Sequence, residues 1–154
     1  MATVVFPNPR NAGSDGLVAM GGKYNEATLT AAYEQGIFPW PVGDDYPICW
    51  FSPDPRGILN LQDFKIPKSL AKWMRQNSQY ITKFNTDFES IISFCQKTKR
   101  PGQESTWITD ELKQGYIKLF EQKHCYCVGV YHNEKLVAGL YGVHWGRFIS
   151  AESM

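Results

Sequence analysis

Before residue 124 the apolar positions recur with a helical period of about 3.6, and from Cys125 onward the period falls to about 2. Leu29, Ala32 and Tyr33 share one face of a predicted helix from about Glu26 to Gln35, capped by Asn25 and stopped by Gly36. A second helix, from Pro67 to about Gln76, carries Leu70, Trp73 and Met74 on its inward side. Thr86-x-x-Glu89 reads as a capping box opening a third helix, with Phe88, Ile91, Ile92 and Cys95 on one face. Thr109, followed by Asp110 and Glu111, starts a fourth helix with Leu112, Tyr116, Leu119 and Phe120 inward. Leu17-Val18-Ala19-Met20 is a short apolar run closed by Gly21-Gly22, and strands are expected at Gly57–Leu61 and Tyr80–Phe84. Cys125–Tyr131, Leu136–Val143 and Arg147–Ala151 then predict an antiparallel meander, turning at His132–Lys135 and at Trp145-Gly146. Residues 1–15 read as a loosely ordered arm. Helices, strands and a final meander in this order make an α+β chain.

One segment fits neither period. Gly36-Ile37-Phe38-Pro39-Trp40 is followed by Trp50-Phe51-Ser52-Pro53-Asp54-Pro55-Arg56. Phe38, Trp40, Tyr46, Trp50 and Phe51 crowd beside prolines that cannot donate to a ladder. Such a stiff aromatic loop suits either a small local core or a pocket wall for a flat or apolar ligand. Trp107, at the start of the fourth helix, offers a second aromatic surface. Two aromatics on separate loops could sandwich a base or line an apolar pocket.

Composition narrows the field. The 154 residues are 43% hydrophobic with a net charge of +1, so any polyanion contact must be local. Lys68, Lys72 and Arg75 form one basic stripe, and Lys97, Lys99 and Arg100 cluster in a broken loop. Either set is a solvated face or a phosphate contact. No apolar run of about 18 residues and no basic-then-apolar leader is present, which predicts a cytoplasmic protein without a membrane partner. Cys49, Cys95, Cys125 and Cys127 form no C-x-x-C pair and read as reduced thiols. Their spacing with His124 and His132 fits no usual zinc pattern, so no metal is expected. No Ser-His-Asp order, phosphate loop or dinucleotide fingerprint occurs. Glu152 stands past the third meander strand, either as a surface glutamate or as a carboxylate that binds a cation or takes a proton.

Six pieces occur in order: Gly16-Leu17-Val18-Ala19-Met20-Gly21-Gly22, Tyr33-x-x-Gly36-Ile37-Phe38-Pro39-Trp40, Trp50-x-Ser52-Pro53-Asp54-Pro55-Arg56, Thr106-Trp107-Ile108-Thr109, Gly139-Leu140-Tyr141-Gly142-Val143 and Glu152-Ser153-Met154. This series resembles the leucyl/phenylalanyl-tRNA–protein transferases across about residues 16–154. The resemblance implies transfer of leucine or phenylalanine from aminoacyl-tRNA to the N-terminal Arg or Lys of a protein, marking it for degradation. It also implies a small α/β lobe over residues 1–64 and an acetyltransferase-like domain from 65 to 154. The donor is an activated ester, so no cofactor is implied.

By the same resemblance Trp40 and Trp107 would hold the adenosine and aminoacyl end, with Tyr33 and Trp50 also on the substrate side. Leu140 and Phe148 would line the amino-acid pocket, and Glu152 would meet the acceptor's cationic end. Lys68, Lys72, Arg75, Lys97, Lys99 and Arg100 would touch tRNA phosphates. The family pattern continues beyond the Glu152 motif with a helix and a strand proposed to relay the proton. The resemblance therefore also admits a partner-dependent or non-catalytic aminoacyl-tRNA-binding module, and a second chain that completes the sheet.

Overall fold

Asn25 begins the first helix by accepting the Thr28 amide at 2.9 Å. In the computed structural model, which describes residues 4–41, 46–98 and 106–154, helix α1 then runs Glu26–Tyr33 and buries Thr28, Leu29, Ala32 and Tyr33. Gly36 leaves it at a φ of 74°, a left-handed conformation that costs other residues a clash with Cβ.

The aromatic-proline segment is more regular than its composition suggests. Strands β1 (Leu17–Met20), β2 (Phe38–Pro39) and β3 (Cys49–Phe51) form an antiparallel sheet with β3 in the centre. Pro39 pairs with Trp50 but lies on an edge strand, where a missing N–H is tolerated. The Trp40 amide donates to the Cys49 carbonyl at 3.0 Å and extends the pairing by one bond. The N-terminal arm is likewise pinned, because Phe6 is buried edge-on against Trp50 with ring centroids 5.1 Å apart.

Helix α2 (Lys68–Gln76), strand β4 (Tyr80–Phe84), helices α3 (Phe88–Lys97) and α4 (Asp110–Glu121), and strands β5 (Cys125–His132), β6 (Lys135–Trp145) and β7 (Phe148–Ser153) complete the α+β chain. The second sheet is antiparallel in the order β4-β5-β6-β7. The β5–β6 turn places Asn133 and Glu134 at φ 48° and 64°, and Gly146 turns β6 into β7 at 55°. Both predicted turns are therefore present, and β6 is longer than its period-2 stretch indicates.

Helices α3 and α4 supply the buried face that their periodicity predicts. Phe88, Ile91, Ile92, Cys95, Leu112, Tyr116 and Leu119 join Trp50, Tyr141 and Val143 in one core cluster. Thr109 caps α4 by accepting the Leu112 amide at 3.2 Å. Gly115 lets α1 press against α4, since a Cβ there would meet Leu29 Cδ1 at 2.5 Å and the Tyr24 carbonyl as well.

Three expectations are corrected. Residues 57–61 are not a strand: Leu61–Asp63 is a short 3-10 turn, and Ile58, Leu59 and Leu61 are exposed. An apolar run without a partner strand has no ladder to join. Leu70, Trp73 and Met74 do not face a core among the described residues, being 46%, 49% and 55% exposed. The capping box does not form either. Thr86 Oγ1 donates to the Phe84 carbonyl at 3.2 Å, and α3 starts after Asp87 at φ 57° with no side-chain cap. The Asp87 carboxylate instead accepts the Tyr131 hydroxyl at 2.6 Å, a tertiary bond that competes with local capping. Among the described residues no helix is long and apolar enough to cross a membrane.

Candidate functional site

Phe148 and Ser150, two apart on β7, share a face. Although the register with β6 shifts between Ala151 and Ser153, the Glu152 carboxylate meets the Ser150 hydroxyl on that side. That direction is the helical side of the sheet, where Tyr116 of α4 and Tyr33 of α1 are fully or nearly buried. The Ser150 hydroxyl donates to Glu152 Oε1 at 2.6 Å, and the Tyr116 hydroxyl donates to Oε2 at 3.4 Å. Tyr33 and Tyr116 are joined hydroxyl to hydroxyl at 2.8 Å. Both hydroxyls also bear on Glu152, and each favours its charged form.

Burial is the largest influence on Glu152 and pushes its carboxyl above the usual range, against the pull of Ser150, Tyr33, Arg56 and Tyr116. Burial and the neighbouring Glu152 also push Tyr33 and Tyr116 well above ordinary tyrosine values, so both stay protonated as donors. The result is one carboxyl group in an aromatic surround, bonded by hydroxyls and drawn on by one cation.

Arg56 is the cation nearest this group. It leaves the Pro53-Asp54-Pro55 stretch, donates from Nη1 to the Gly36 carbonyl at 2.8 Å, and lies over the Phe38 and Phe148 rings at 4.8 and 5.3 Å. The aromatic-proline segment and β7 therefore meet at one guanidinium.

Trp40 and Trp107 do come together, though not as a sandwich. Their rings are stacked at 15° with centroids 5.5 Å apart. At that spacing they already touch each other, so a base stacks on an outer face of the pair. Trp40 is 46% exposed and supplies such a face. With either tryptophan replaced by alanine, a flat ligand stacked on this face is expected to bind more weakly by about 1–3 kcal/mol, the scale of one base–aromatic stack. Fluorescence titration with adenosine measures this, and unchanged affinity in both variants would rule out a stacking role.

Trp50 is a correction. It is 1% exposed, donates Nε1–H to the Gly21 carbonyl at 2.9 Å, and packs against Phe6 and Tyr24, so it has no surface to offer a substrate. Tyr33 is likewise withdrawn into the core and acts on Glu152 through its hydroxyl. Leu140 and Phe148 do not meet. Leu140, paired with Val128, lines an apolar cavity of about 660 Å³ with Ile91, Phe94 and Leu136, whereas Phe148 lies by Arg56. The cavity's size is in the usual range for small ligands.

Lys68, Lys72 and Arg75 are exposed along α2, and Lys97 is exposed at the end of α3. Among the described residues the one salt bridge joins Lys118 to Glu121, so these four cations are not neutralised by a carboxylate. Lys99 and Arg100 lie outside the described residues. Residue reading missed Tyr116 and Ser150. An inward tyrosine on a helix carries a hydroxyl that must find a partner, and Ser150 shares a strand face with Glu152; both signals are in the sequence.

The family described as leucyl/phenylalanyl-tRNA protein transferase matches residues 58–154, and its N-terminal domain matches residues 22–54. A leucyl/phenylalanyl-tRNA–protein transferase of Sulfurimonas denitrificans is 42% identical over 151 residues, 98% of this chain and 64% of its own length. One from Vibrio campbellii is 42% identical over 97% of this chain and 62% of its own length. One from Pseudoalteromonas atlantica is 44% identical over 97% of this chain and 63% of its own length. The chain thus spans less than two thirds of the length of these relatives.

Proposed function

Because the chain belongs to the leucyl/phenylalanyl-tRNA protein transferase family, we propose that it takes part in moving leucine or phenylalanine from aminoacyl-tRNA to the N-terminal amine of a protein beginning with Arg or Lys. The observation that carries this reading is Glu152, a partly buried carboxylate held by Ser150 and Tyr116 in an aromatic surround. An acceptor's guanidinium or ammonium is the natural complement of such a group.

The chemistry asks little beyond placement. The neutral amine attacks the ester carbonyl, the new amide bond forms as the ester bond to the ribose breaks, the amine gives up one proton and the freed ribose hydroxyl takes one. Holding both reactants in contact removes most of the entropic barrier, and the activated ester supplies the driving force. In this reading the outer face of the Trp40–Trp107 pair takes the terminal adenosine, and the Leu140 cavity takes the apolar side chain, with Phe148 near the acceptor. Selection of Leu or Phe by an apolar cavity fits its modest discriminating power. Lys68, Lys72, Arg75 and Lys97 meet tRNA phosphates, whose contribution falls steeply with salt.

We read residues 1–64 as one domain and 65–154 as part of a second. The outer edge of β6 before Tyr141 faces no strand among the described residues, so a further segment or a second chain that pairs there is the partner this edge would take. The test is direct. Full-length protein, labelled Leu-tRNA or Phe-tRNA and an Arg-initiated peptide should yield labelled peptide, while an Asp-initiated peptide should not. No label on the Arg peptide would sink the reading.

A further inference from the structure

Arg56 touches both Phe38 of the aromatic-proline segment and Phe148 of β7, and the reading above gives it no role. Its guanidinium lies over two aromatic rings and donates from one nitrogen. Phe38 of β2 lies 4.8 Å from its central carbon, Phe148 of β7 lies 5.3 Å away, and Nη1 donates to the Gly36 carbonyl at 2.8 Å. Phe148 begins the strand face that ends in Glu152 four residues later.

On the reading of the function just given, we propose that Arg56 is a positioning residue that clamps the Phe38 segment to β7 and supplies the fixed positive charge against which Glu152 is set for a cationic acceptor. Lysine cannot replace it fully. An ammonium on a flexible stem keeps the charge, but cannot lie flat against two rings and bond a carbonyl from one plane.

Among the described residues the groups that bear on Glu152 are Ser150 on its own strand, Tyr33 of α1, Tyr116 of α4, Cys125 and Tyr126 of β5, and Arg56. Of these only Arg56 is a cation, and it holds the carboxyl lower than burial alone would. Removing it leaves Glu152 protonated to higher pH.

Two variants separate the clamp from the charge. In Arg56→Met the acid limb of acceptor kcat/KM should move to higher pH and the plateau should fall about tenfold. In Arg56→Lys the acid limb should return to the wild-type position while the plateau stays low. Carboxyl NMR titration of Glu152 in carbon-labelled, full-length protein reads the same shift without turnover. If wild type transfers nothing, the functional reading has failed, and the titration alone then judges Arg56. Glu152 titrating identically in wild type and Arg56→Met would overturn the proposal. So would a loss in both variants that is equal at every pH, which is the mark of a loop contact alone.

Discussion

Glu152→Gln should lower acceptor kcat/KM by roughly 10- to 150-fold, the equivalent of about 1.5–3 kcal/mol for a lost charge-assisted contact, and should leave donor affinity close to wild type. The substitution keeps the shape and an oxygen for Ser150 or Tyr116, so the loss is of charge. It should also leave the protein no less stable at neutral pH. Burial holds the folded-state carboxyl above its unfolded value. The folded state therefore binds this proton more tightly, and the group's favourable contribution is complete only at low pH and is lost as pH rises through the raised value. An amide removes the charge that burial penalises. Steady-state kinetics with Arg-initiated peptide, donor titration and thermal melts at two pH values check all three parts. An equal fall in donor and acceptor use, with a lower Tm, would mean that Glu152 only holds β7 in place.

Gly142→Ala should destabilise the fold by about 3 kcal/mol or more, at the upper end of the cost of overpacking, which lowers Tm by roughly 6–12 °C for a chain of this size. A Cβ at this position would collide with the Ser150 carbonyl and stand 2.8 Å from both Cε1 and the hydroxyl of Tyr126. The carbonyl is backbone in a paired strand and already accepts the Tyr126 hydroxyl at 3.0 Å, so nothing nearby can yield cheaply. The displaced strand is the one that carries Ser150 and Glu152, so acceptor use should fall with stability. Gly57→Ala is the control, since a Cβ there meets no atom within 4 Å. Gly142→Ala melting within about 0.5 kcal/mol of that control would show that β7 is not held in this register.

Much of the fold is legible in the residues because the forces there are local. Asn25 and Thr109 cap their helices through side chains that reach only three residues ahead. The change of period at Cys125 marks the meander because one buried face forces alternation. The places where local reading fails are those where a distant group competes for the same atoms. Thr86, read as the cap of α3, turns instead to the Phe84 carbonyl, and Asp87, which stands at the cap position, is taken by Tyr131 of β5. Trp50, indistinguishable from Trp40 by composition, is taken into the core by Phe6 and Tyr24 from two other segments. Leu70, Trp73 and Met74 show a correct amphipathic pattern, but a pattern states only that a face is apolar and not what covers it.

The site divides along the same line. Motif order by itself pointed to the family, and the resemblance carried over Trp40, Trp107, Leu140 and Glu152 as candidates for stacking, apolar selection and charge recognition. Only the tertiary structure decided that the two tryptophans stack on each other and that Leu140 and Phe148 part company. It alone decided that Tyr33, Tyr116 and Arg56 converge on Glu152. Most of those relations join residues dozens of positions apart, and they are set by how α1, α4 and β7 pack, which no local pattern encodes.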